Sequence, residues 1–166
     1  MKKLFLSLLL TFTSFGFADC IVQSNGYAVC GEGHCVLQSN GYGKCAPAIG
    51  AECIVQDNGY AVCAQTEYGG CALQQNGYGV CGAGKCVVQN NGYAVCASSA
   101  HGHCIVQANG YAVCGRGKCV IQSNGYGVCA PALGASCIVQ ANGYAVCSNK
   151  EFGGCVLQNN GYAVCQ

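Results

Sequence analysis

The chain has 166 residues with a formal net charge of +1, only 8% charged residues, 26 glycines and 18 cysteines. So flat a charge balance argues against a nucleic-acid partner, which calls for a basic patch or stripe. Cysteine at this density marks a disulfide scaffold in an oxidising compartment and argues against a cytosolic enzyme.

Residues 1–18 read as a secretory leader. Lys2 and Lys3 head an apolar stretch from Leu4 to Phe12, and Gly16-Phe17-Ala18 supplies a small-x-small cleavage site. The stretch is too short for a membrane span, so a retained anchor is the weaker reading. Asp19 before Cys20 speaks against lipidation, which wants a small residue there. Cleavage before Asp19 is expected to leave 148 residues (166 less 18) with no membrane span. The short, lysine-headed leader points to a bacterial protein, periplasmic or secreted.

From Cys20 onward one eleven-residue unit recurs nine times, first as Cys20-Ile-Val-Gln-Ser-Asn-Gly-Tyr-Ala-Val-Cys30. Its ends are Cys20 and Cys30, Cys35 and Cys45, Cys53 and Cys63, Cys71 and Cys81, and Cys86 and Cys96. They continue as Cys104 and Cys114, Cys119 and Cys129, Cys137 and Cys147, and Cys155 and Cys165, which uses every cysteine of the chain. Within each unit, two short apolar runs flank an x-Asn-Gly connection. That connection suits a type I turn followed by a left-handed glycine, a β-hairpin with a bulge. In this register Gln23 faces Tyr27, Val22 faces Ala28, Ile21 faces Val29 and Cys20 faces Cys30. The cysteines then fall at a closely spaced, non-hydrogen-bonded pair. The separation within a unit is constant, whereas linkers between units hold four or seven residues. A constant loop favours nine local bridges; the competing scheme joins each unit to the next, as Cys30 to Cys35. The fold class expected is all-β: an array of nine short disulfide-stapled hairpins in which neighbours cover each other's faces.

Side chains alternate along a strand, so one face carries Cys20, Val22, Ala28 and Cys30, and the other Ile21, Gln23, Tyr27 and Val29. The Ala28 position is only ever Ala or Gly, which implies close approach of another element, most simply the next hairpin. A second level of order is a duplication. Residues 20–81 and 104–165 align without gaps, 47 of 62 positions matching, around a central hairpin at residues 86–96. Ile49, Leu133, Tyr68 and Phe152 occupy matched linker positions and are expected to cap or wedge between hairpins.

No nucleophile-with-base pattern, metalloprotease motif or phosphate loop is present, so neither catalysis nor a cofactor is expected. His34, His101 and His103 lie beside cysteines or in linkers and are weak metal candidates. A cysteine-rich copper or zinc protein, or a redox protein, is the alternative if the thiols stay reduced. Tyr27, Tyr42, Tyr60, Tyr78, Tyr93, Tyr111, Tyr126, Tyr144 and Tyr162 stand at one matched position. They either pack across their own hairpins or form a ladder suited to sugar rings or a protein partner. Residues 20–81 carry four acids against one lysine, and residues 104–165 carry three bases against one acid. Head-to-tail self-association is one reading of that asymmetry; neutral drift after duplication explains the same pattern. The function expected is structural or binding, with a surface polysaccharide as a further candidate partner.

Overall fold

The computed structural model describes residues 19–166; the predicted leader lies outside the described residues. Eighteen short strands form nine separate two-stranded antiparallel hairpins. The first pairs β1 (Asp19–Val22) with β2 (Ala28–Gly31), and the second pairs β3 (Cys35–Leu37) with β4 (Gly43–Cys45). We call the hairpins units 1 to 9 in chain order.

The register is the one expected from the turn. Cys20 opposes Cys30, Ile21 opposes Val29 and Val22 opposes Ala28, while the Gln23 N–H donates to the Tyr27 carbonyl at 2.8 Å. Gly26 closes the turn at φ 85°, a conformation that costs glycine little and other residues more. The amide oxygen of Asn25 accepts from the Tyr27 N–H at 3.0 Å, a local bond that only a short polar side chain can offer. All nine bridges are local. They run from Cys20–Cys30 to Cys155–Cys165 with Cα–Cα distances of 3.9–4.1 Å, and no cysteine is free.

Successive units stack face to face, and three contacts make each joint. Along the turns, the backbone N–H after the conserved-position glutamine donates to the turn glycine of the following unit, as Ser24 to the Gly41 carbonyl at 2.9 Å. The glutamine side chain reaches the same way: Gln38 accepts from the Ala61 N–H at 3.0 Å and Gln89 from the Ala112 N–H at 2.9 Å. The third contact is apolar. A Cβ added to Gly43 would collide with Val29 and Ile21 of unit 1. The restricted small position therefore answers to the preceding hairpin, not the next one, because each unit presents its Ile21-type face forward and its Cys20-type face backward.

This contact is matched in size. Where Ile21, Ile54 and Ile105 come first, the unit that follows carries Gly43, Gly79 and Gly127, each pressed against that isoleucine and its neighbouring valine. Where Val36, Ala72, Val87 and Val120 come first, Ala61, Ala94, Ala112 and Ala145 follow. Ile138 with Ala163 is the exception.

The linkers close the other edge. All three four-residue linkers begin with glycine (Gly31, Gly82 and Gly115). A Cβ there would strike the Cβ of Cys45, Cys96 or Cys129 in the following unit. Seven-residue linkers start with Ala46, Ala64, Ala97, Ala130 or Ser148, all nearly inaccessible. The buried interior is thus a thin column of alanines and half-cystines. So small an apolar interior offers little hydrophobic stabilisation, and the covalent bridges, each worth about 3 kcal/mol in the chain-entropy model, have to supply much of the rest.

Candidate functional site

The turn column brings the nine unit tyrosines to one long edge, because each sits beside a turn glycine and every such glycine after Gly26 is hydrogen-bonded to the turn before it. Their exposures run from 57% to 73%. Tyr162, with no hairpin after it among the described residues, is as exposed at 60% as Tyr78, which has one. The rings therefore take no part in covering the following hairpin. They stand on the surface, with the Asn25-type amides engaged in the turn beneath them. Between the turns of units 4 and 5 a groove of about 300 Å³ is lined by Gln75, Asn76, Asn91, Gly92 and Tyr93. It sets side-chain amides, each able to donate and accept, beside an aromatic ring.

The linker edge is built differently. The residue before each unit's first cysteine forms a second column, bonded from one linker to the next. The Lys85 N–H donates to the Gly102 carbonyl at 3.0 Å, and the His103 N–H to the Gly117 carbonyl at 3.2 Å. Lys85, His103 and Lys118 are thereby consecutive members of the column. With Tyr68, His101 and Phe152 they line a cavity of about 290 Å³. The His101 ring lies 5.5 Å from Tyr68 and 5.3 Å from Phe152, centroid to centroid. Partial burial, with Lys85 and Lys118 nearby, holds His103 below the usual histidine range. With cations and rings in its lining and no carboxylate, this hollow favours anions over cations.

Tyr68 and Phe152 do not wedge between hairpins as expected. Both backbones are left-handed, at φ 57° and 54°. Their N–H groups donate to Ile49 at 2.9 Å and Leu133 at 2.7 Å, and each ring lies over a glycine of the preceding linker, Gly50 or Gly134. Ile49 is also exposed. The left-handed turn throws the ring outward across the linker and away from the stack.

The three histidines do not form one group. His34 is exposed on the first linker, with Nδ1 3.9 Å from Asp19 Oδ2, whereas His101 and His103 line the central hollow. Among the described residues no three His, Cys, Asp or Glu side chains converge as metal ligands would. Lys85 and Lys118 join this lining although neither is a metal ligand candidate. Their signal was positional: both precede a unit's first cysteine, flanking His103 in the same column.

No protein-family model matches the chain, and no curated protein or solved structure is significantly similar to it.

Proposed function

We propose that the protein is an exported, disulfide-stapled binding element whose tyrosine edge docks on a repetitive partner, a surface polysaccharide being the first candidate. The observation that carries this reading is the row of nine unit tyrosines, more than half exposed and repeated at one backbone geometry. A periodic row of rings, with an amide-lined groove between two of its turns, suits a polymer that repeats its own rings and hydroxyls, since each contact is weak and many act together. Nine intramolecular bridges are consistent with an oxidising location; the periplasm or exterior of a bacterial cell is the setting we infer.

Retention of the oxidised protein on insoluble polysaccharides tests the reading. Replacing Tyr78, Tyr93 and Tyr111 together with Ala should lower retention by about 10-fold or more, at about 0.5–1.5 kcal/mol per ring, with the disulfides intact. Retention that is absent, or unchanged in that variant, overturns the proposal. The metal or redox alternative needs thiolates, and every cysteine here is bridged. An intact mass about 18 hydrogens below the fully reduced chain, two per bridge, is expected for the native protein. Free thiols or bound copper or zinc would favour the alternative.

A further inference from the structure

The described residues form eight joints, and the two outer faces of that array are the unmatched halves of a ninth. Among the described residues unit 1 has no hairpin behind it. Its backward face leaves Val22 64% exposed, along with Cys20, Ala28 and Cys30. In unit 3 the matching Cys53, Ala61 and Cys63 are buried to 6–8% exposure. A Cβ placed on Gly26 would meet nothing within 4 Å, whereas on Gly59 it would strike Ser39 of the preceding unit. Among the described residues no donor reaches the Gly26 carbonyl, the acceptor that each later turn offers backward.

Unit 9 shows the converse. Its forward face leaves Val156 66% and Val164 44% exposed. Among the described residues, the amide oxygen of Gln158 and the N–H of Asn159 have no partner of the kind their counterparts find at every internal joint. The two ends also fit in size. Unit 9 offers Val156 and unit 1 offers Ala28, the pairing found at Val36 with Ala61, Val87 with Ala112 and Val120 with Ala145. Their charges are complementary as well: the block that starts at unit 1 has an acidic excess and the block that ends at unit 9 a basic one.

We propose that these faces bind each other between copies of this chain, joining molecules head to tail into one continuous stack. The new joint would repeat the internal one: Asn159 N–H donating to the Gly26 carbonyl, Ala28 N–H donating to Gln158 Oε1, and Val156 with Val164 against Ala28. Each molecule has one face of each kind, so the contact is heterologous and grows as an open filament without closing. The stack would also carry the tyrosine edge from one molecule to the next. The inference does not rest on sugar binding, because the tyrosines lie on the turn edge and not in the joint.

Two substitutions block opposite ends with little demand on the fold. Ala28→Arg places a charge on an exposed face. Asn159→Pro removes one N–H at the second residue of a type I turn, a position where proline is favoured. Sedimentation velocity and light scattering are run on the exported, oxidised protein, with thiol titration to confirm nine bridges. Whole-number multiples of the monomer are expected, growing with concentration and shrinking with salt. Each variant alone should be monomeric, since it lacks one face. An equimolar mixture should give 1:1 dimers and nothing longer, because Ala28→Arg retains a sound forward face and Asn159→Pro a sound backward one. A monomer at every concentration overturns the proposal. So does association that survives in either variant alone, a mixture that stays monomeric, or association that requires residues 1–18.

Discussion

Along the turn edge, nine copies of Gln-x-Asn-Gly-Tyr hold one geometry, with turn glycines at φ 81–85° and Asn-to-Tyr bonds of 2.9–3.1 Å. Along the linker edge nothing repeats so closely. Lengths are four or seven residues in no strict alternation, and most of the charges, all three histidines and both left-handed aromatics lie there. The contrast has a physical cause. On the turn edge the glutamine, the residue after it and the turn glycine each serve their own hairpin and the joint to its neighbour at once, so a change there is felt twice. A seven-residue linker has only to return the chain to the next first cysteine, and its outer residues are free to vary. Regularity on one edge suits a repetitive partner; variety on the other allows a single local site, the cationic hollow around His103.

Breaking the repeated part should cost most. Replacing Cys53 and Cys63 together with Ala removes a buried bridge and is expected to lower stability by about 2–5 kcal/mol. The same change at the exposed Cys20 and Cys30 should cost less, because an end unit has one neighbour instead of two. Denaturant midpoints measure both, and equal losses would argue against stacking as the source of the difference. Gly59→Ala forces a left-handed backbone and a clash with Ser39, for about 2–4 kcal/mol. Gly26→Ala incurs only the backbone term, about 1 kcal/mol. If the two prove equal, the close approach at the joint is not what limits the turn.

Smaller effects sharpen the same comparison. Gln89→Ala leaves the Ala112 N–H without its acceptor and should cost about 1–2 kcal/mol. Gln158→Ala, on the open end face, should leave the stability of the monomer unchanged, as should Glu67→Ala on the linker edge, within about 0.5 kcal/mol. The smallest effect concerns pH. His103 has a folded pKa below its unfolded value of 6.5. As pH falls through the ordinary histidine range the unfolded chain takes up a proton first, so stability declines on acidification and is unaffected above that range. His103→Gln should remove that component of the decline, and an identical pH profile in the variant would show that the histidine does not contribute.

Much of this was legible from residues alone because the hairpin is local. The x-Asn-Gly turn sets its register, the register places Cys20 opposite Cys30, and the constant spacing favours that bridge over Cys30–Cys35, a choice the structure settles. The small position at Ala28 was legible as a contact but not as to which neighbour makes it, since either stacking polarity satisfies a single hairpin. The glutamine column and the Lys85–His103–Lys118 hollow were not apparent. The first looks like ordinary polar filling of a strand end, and the second joins residues from three linkers whose spacing in sequence is irregular.

By itself, then, the sequence determined the unit, its register and its number, and favoured its local bridge, because these depend on backbone sterics and contacts a few residues apart. Only the tertiary structure decided which face looks forward, that the tyrosines stay outside the joints, and that both end faces are left open among the described residues. Those outcomes depend on how one hairpin lies upon the next, where shape matching between Ile21 and Gly43 and the reach of each glutamine select a single direction.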